Sequence, residues 1–195
     1  MSIFDVDRQL TFYGAYHSNH VNVLIHIVCV PLILWSAQVL STDLPTTFLP
    51  KVHYDINEYL AFDLNIPALV TAFYIVYYLI LEPFAALLYL PQLTLSLLTA
   101  TAFAYRPDHL FIGGMIHAVC WIAQFIGHGV AERRAPALLD NLLGAVVLAP
   151  FFVHLELLFA IGYRPDMHKR IDNEIGKEIA RIKKNEGDKR RAKRS

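Results

Sequence analysis

Five apolar stretches, at about residues 20–40, 64–81, 84–104, 108–130 and 138–161, dominate the chain, and each approaches the roughly 20 residues needed to cross a hydrocarbon core. From Leu64 through Tyr105 the only charged residue is Glu82, and Pro83 follows it, so the pair reads as a tight turn between two helices. Lipid offers no hydrogen bonds to a bare backbone, so such segments fold as helices. Composition agrees: 55% of the 195 residues are hydrophobic and 17% are charged, against roughly 25% charged in a soluble domain. The sequence predicts an all-α fold, a polytopic membrane helix bundle of about 4–5 spanning helices over residues 1–163.

The net charge of zero hides an asymmetry. Residues 164–195 carry twelve Lys/Arg and six Asp/Glu, so this segment is about +6 and the body about −6. Within it Ile171, Ile175, Ile179 and Ile182 recur at spacings of 4, 4 and 3, the stripe of an amphipathic helix. Residues 164–195 are expected to form a basic amphipathic C-terminal tail on the membrane surface, cytoplasmic by the positive-inside tendency and drawn to anionic lipid. No nucleic-acid site is expected from it. The N-terminal "MSIFDVDRQLTFYGAY" lacks the basic-then-apolar order of a cleaved signal, so the first apolar span is expected to direct insertion. The segment 41–63 holds five charged residues and is expected in water or at the membrane surface. "YRPD" occurs at 105–108 and 163–166, and each copy reads as a helix exit followed by a Pro-Asp start. Cys29 and Cys120 both lie in apolar runs and read as core thiols, with no disulfide framework.

Ionisable side chains in spanning helices are costly and mark function. Here they are many: His26 in the first span; His117, Gln124 and His128 in the fourth; Asp140, Asn141, His154 and Glu156 around the fifth. His117, Trp121, Gln124 and His128 follow one another at 4, 3 and 4 positions and share a helix face, as do Asn22 and His26. Two such stripes belong against each other. Interhelical packing is one reading of each histidine; several together favour a metal or cofactor, since imidazole is the commonest metal ligand.

Counting spans places His17 and His128 in an outer tier near one membrane face and His26 with His117 in an inner one. The tiers lie about 13 Å apart along the first helix and about 16 Å along the fourth. One ion cannot bridge that distance with bonds near 2.1 Å, so either two tiers exist or the helices break. Gly127 and Gly129 beside His128, and Ser18 and Asn19 after His17, are places for a break.

"FYGAYHSNHVNVLIHIVCVPLILWS" and "WIAQFIGHGVAERRAPALLDNLLGAVVLAPFFVHLELLF", with their patterns YHxNxxNxxxH and QFxGHxxxExRxPAL, resemble the eukaryotic and bacterial family of membrane 2-hydroxy fatty acid dioxygenases of the endoplasmic reticulum. The resemblance covers residues 12–36 and about 113–163. It implies an Fe2+-dependent enzyme, with O2 as co-substrate, that shortens a 2-hydroxy long-chain fatty acid by one carbon during phytosphingosine breakdown. It further implies a multi-pass protein of the endoplasmic reticulum membrane. Carried onto this sequence, the polar motif positions are His17, Asn22, His26, Gln124, His128, Glu132, Arg134 and Asn141, with His117 preceding the second motif. The expected metal and catalytic residues are His17, His26, His117 and His128. Asn22, Gln124, Glu132, Arg133, Arg134 and Asn141 are expected to bind substrate, the arginines by pairing with its carboxylate.

Two rival readings stand beside this one: a bis-histidine haem protein using His26 and His117, and a transporter relaying protons through intramembrane His and Glu. Di-iron membrane desaturases are excluded, because neither HxxxH nor HxxHH occurs.

Overall fold

A computed structural model describes residues 4–132 and 142–192. The chain runs α1 (Val6–Tyr16), α2 (His20–Ser41), a hairpin of β1 (His53–Asn57) and β2 (Leu60–Asp63), α3 (Ile66–Leu81), α4 (Pro83–Ala104), α5 (His109–Ile126) continued by a π-helical segment (Gly127–Glu132), α6 (Leu142–Ala160) and α7 (Pro165–Ala192). The fold is an all-α membrane bundle. Among the described residues three helices are long and apolar enough to span, namely His20–Ser41, Pro83–Ala104 and His109–Glu132. They become four if α6 and α7, bent by 119° at their junction, count as one broken span. The apolar stretch at 64–81 forms α3, whose 16 residues reach about 24 Å, short of the roughly 30 Å core.

Local chemistry sets the helix starts. Asp5, Asn19 and Asn65 each accept a main-chain N–H of their own first turn, from Arg8 (3.1 Å), Val21 (2.9 Å) and Ala68 (3.1 Å). Glu82 separates α3 from α4: its carboxylate accepts the Ala85 N–H at 2.5 Å, and Pro83 fills the first helical position, where no N–H is needed.

Outward faces are apolar. On α5 and its extension Phe111, Met115, Val119, Ile122, Phe125 and Val130 are exposed, an apolar surface of the kind that faces lipid in a membrane bundle. The core lies inside, where Leu10 and Tyr13 of α1, Tyr74 and Tyr78 of α3, Tyr89 and Leu93 of α4, and Phe151, Phe152 and Leu155 of α6 pack together. Pro150 has no N–H to offer the Val146 carbonyl, and the Tyr74 hydroxyl donates to that carbonyl at 3.3 Å, beside a 2.6 Å bond from Tyr78 to the Val147 carbonyl.

α7 completes this core with Met167 and Ile171 and runs along α1, where Arg170 pairs with Asp7 (2.7 Å) and Ile175 abuts Gly14. The bend into α7 is pinned at Glu82, which is buried, accepts from the Tyr163 hydroxyl at 2.8 Å and pairs with Arg164 at 3.1 Å. Arg164 takes φ +42° there, a conformation that non-glycine residues seldom adopt. The other YRPD copy makes a comparable joint: Tyr105 donates to Asp63 at 2.7 Å and ties the end of α4 to the hairpin.

Candidate metal centre

α2 and α5 run antiparallel and meet along one seam. Val39 lies against Gly113, Ser36 bonds His117, Cys29 neighbours Cys120, and Asn22 lies against Gly127. Small residues make this approach possible. A Cβ on Gly127 would stand 2.5 Å from the Asn22 carboxamide oxygen.

At the Asn22 end of the seam three imidazoles converge. His17, His26 and His128 are all buried, and one ring nitrogen from each lies within 4.8 Å of the others. That approaches the roughly 3–4 Å between nitrogens sharing one ion at bonds near 2.1 Å. Two departures from continuous helix bring them together. The chain breaks between α1 and α2 at His17–Asn19, so the His17 ring folds back onto His26 instead of standing a helix length away. On the other wall the π-helical segment carries His128; such wide turns concentrate at functional sites.

Hydrogen bonding fixes how two of the rings are used. His17 Nδ1 lies 2.8 Å from the Tyr13 carbonyl and His26 Nδ1 lies 2.9 Å from the Asn22 carbonyl. A carbonyl only accepts, so each Nδ1 carries the proton and each Nε2 presents a lone pair. The two Nε2 atoms face each other at 3.1 Å. Two bare lone pairs at that distance repel unless a cation or a proton lies between them. Burial and the neighbouring His26 ring hold His17 well below the usual histidine pKa, which disfavours the proton. Nδ1 of His128 is buried with no hydrogen-bond partner among the described residues. The donor set, neutral imidazoles with converging lone pairs, fits a divalent transition metal and leaves coordination positions free.

The frame around the rings is polar and closed. Tyr13 is stacked between His17 (3.8 Å) and Phe152 (4.2 Å). Glu132, at the end of the π-helical segment, accepts the Asn19 N–H at 2.7 Å, the Ser18 hydroxyl at 3.3 Å and the Asn22 amide at 3.4 Å. Its charge sits at the N-terminus of α2, where the helix dipole favours an anion.

The expected residues are not all brought together. His117 stands apart from the triad: Ser36 engages its Nδ1 at 2.9 Å and the Trp121 indole donates to its Nε2 at 2.9 Å. The antiparallel seam puts it level with Ser36, so the inner tier of His26 with His117 does not form. Glu132 is committed to the α1–α2 joint, whereas it was expected to bind substrate. Gln124 is buried one turn before His128, with its amide nitrogen unpartnered among the described residues. Arg133, Arg134 and Asn141 lie outside the described residues. Tyr13 was missed, since an aromatic four residues before a histidine reads as ordinary core; the hairpin in the segment 41–63 was missed too.

Fold and site together define a class: a helical membrane protein with a buried histidine triad able to bind a metal. A family model described as "2-hydroxy-palmitic acid dioxygenase Mpo1-like" matches residues 3–161. The 2-hydroxy-palmitic acid dioxygenase MPO1 of Saccharomyces cerevisiae is 34% identical over 179 residues, covering 89% of this chain and 91% of the yeast protein. The chain belongs to the Mpo1-like family, and it is an enzyme of the dioxygenase class. No solved structure matches it.

Proposed function

We propose that this protein is an Fe2+-dependent dioxygenase that acts on 2-hydroxy long-chain fatty acids and shortens them by one carbon, as in phytosphingosine degradation. The substrate class comes from the name of the yeast relative. The observation that carries the metal is the 3.1 Å approach of two neutral Nε2 atoms, which asks for a cation.

His17, His26 and His128 would hold the iron, which when bound supplies the redox chemistry toward O2. The Tyr13 and Asn22 carbonyls keep the His17 and His26 lone pairs aimed inward. Asn22 and Glu132 hold the two walls together, and buried side chains exclude bulk water. The free amide of Gln124, with Arg133, Arg134 and Asn141, is assigned to the hydroxy-carboxylate end of the substrate. The acyl chain is apolar and belongs with the lipid-facing bundle.

The protein is placed in the endoplasmic reticulum membrane as a multi-pass catalytic domain over residues 1–163, with residues 164–195 a cytoplasmic tail that anionic lipid attracts. The bend before α7, which sends the basic helix back along α1, supports putting tail and metal centre on one side.

The test is O2 uptake by detergent-purified protein with Fe2+ and 2-hydroxypalmitate. Uptake should depend on the substrate, yield a product one carbon shorter, and stop on chelation. Absence of uptake in iron-loaded protein would contradict the reading. A Soret band would favour haem instead.

A further inference from the structure

Val23, Ile27, Pro31 and Leu34 follow one another on α2 at spacings of 4, 4 and 3, so they share one helix face. All four are partly exposed. Val23 and Ile27 stand beside the triad, sharing with His17 and His26 a void no larger than one water. Pro31 and Leu34, with Trp35, line a groove of about 270 Å³ between α2 and α4, whose other wall runs from Tyr89 through Leu93 to Thr99.

The hydroxyls in this groove are already committed. Ser96 donates to the Gln38 side chain at 2.6 Å, and Thr99 donates to the Leu95 carbonyl at 2.7 Å while accepting the Trp35 indole N–H at 3.1 Å. Apart from them and the exposed Gln92, the lining is alkyl and aromatic. Trp35 is the α2 residue of the lining farthest from the triad. Besides its bond to Thr99, its ring meets Phe103 edge-on with centroids 5.0 Å apart, so it is held across the gap between α2 and α4.

Length identifies the occupant. Trp35 lies nine positions beyond His26, about 13.5 Å along the helix at 1.5 Å per residue. One leaflet of acyl chains fills about 15 Å, half of the roughly 30 Å hydrocarbon core. A fatty acid with its head at the triad therefore reaches Trp35 with the end of a long chain, pointing into the membrane as lipid tails do. A helix, about 10 Å across, is too wide for the groove.

We infer that this groove seats the distal part of the acyl chain of the 2-hydroxy acid, and that Trp35 is its end wall and limits chain length. The chain lies along the α2 face from Ile27 to Leu34 and enters sideways from the bilayer, to which that face is partly open. The inference rests on the 2-hydroxy fatty acid reading above.

Two substitutions and one probe test it. Trp35→Ala removes the wall, whereas Trp35→Phe keeps an aromatic ring there and loses the bond to Thr99. Both should keep wild-type iron content. Trp35→Ala should raise kcat/KM for 2-hydroxylignocerate relative to 2-hydroxypalmitate roughly tenfold by relieving overpacking of the longer chain, and Trp35→Phe should keep the wild-type ratio. An unchanged ratio in Trp35→Ala would overturn the end wall. A 2-hydroxypalmitate analogue with a photoactivatable diazirine at its tail should label α2 and α4 around Trp35 and Thr99 in detergent-purified wild-type protein, mapped by mass spectrometry without turnover. Excess 2-hydroxypalmitate should abolish the labelling and excess phosphatidylcholine should not. Labelling elsewhere would overturn the proposal, as would equal displacement by the phospholipid, which would make the groove a seat for bilayer lipid. If Trp35→Ala fails to fold, the labelling decides. Failure of the dioxygenase reading is separate: wild-type protein would then take up no O2 with either acid, while the labelling would still report on the groove.

Discussion

His17 and His26 face one another through their Nε2 atoms at 3.1 Å while their Nδ1 atoms are held by the carbonyls of Tyr13 and Asn22. They lie nine positions apart in sequence, and the break after α1 brings their side chains to hydrogen-bond distance. The metal proposal depends on that break.

His117→Ala should leave iron content unchanged. The side chain bonds Ser36 and Trp121 and takes no part in the triad, so the variant should lose about 1–3 kcal/mol of stability from the unpaired groups. Elemental analysis and thermal unfolding in detergent separate the two effects. Loss of iron at normal stability would return His117 to the ligand set.

Gly127→Ala forces a Cβ to within 2.5 Å of the Asn22 carboxamide oxygen. Overpacking of this kind costs about 1–3 kcal/mol and should lower the unfolding temperature and the iron affinity together. Gly129→Ala, where a Cβ meets nothing within 4 Å, is the control and should change stability by no more than about 0.5 kcal/mol.

Glu132→Ala removes the acceptor for Ser18, Asn19 and Asn22. As a frame residue it should weaken iron binding, by about 10- to 100-fold as for other second-layer groups, read in an iron titration. If iron affinity held and only the KM for the hydroxy acid rose, Glu132 would be a substrate residue instead.

Acid should destabilise the metal-free protein. Burial depresses the folded-state pKa of His17, so as pH falls through about 6.5 the unfolded chain takes up the proton first. The contribution of His17 to stability is therefore complete above that pH and is lost as the pH falls toward the folded-state value. Unfolding midpoints from pH 8 to pH 5 should fall below about 6.5 in wild type, and less steeply in His17→Gln.

Much of this was legible in the sequence, for identifiable reasons. The apolar runs announced the helices because lipid leaves the backbone no other choice, and His17, His26 and His128 stood out as polar groups where burial is costly. Helical periodicity placed His117 on one face with His128 but carried no information on which residue of α2 stands at its level. That depends on the antiparallel register set by Gly113, Gly127 and the side chains they meet. The 13 Å estimate between tiers assumed unbroken helix; Asn19, an N-cap residue, was the signal for the break. Tyr13 was invisible because its part is played by its carbonyl and its ring face, which no motif encodes. The hairpin has a signal, the alternation in "HYDINEYLAFD", which the charged residues of the segment 41–63 disguise as a polar loop.

The central claim is that three histidines hold one metal ion. Its most direct test is elemental analysis of protein purified from iron-supplemented cells, for wild type and for His17→Ala, His26→Ala and His128→Ala, each checked for folding. The account predicts about one iron per chain in wild type and little in any folded variant. Wild-type iron content in all three variants, or none in folded wild type after reconstitution, would contradict it.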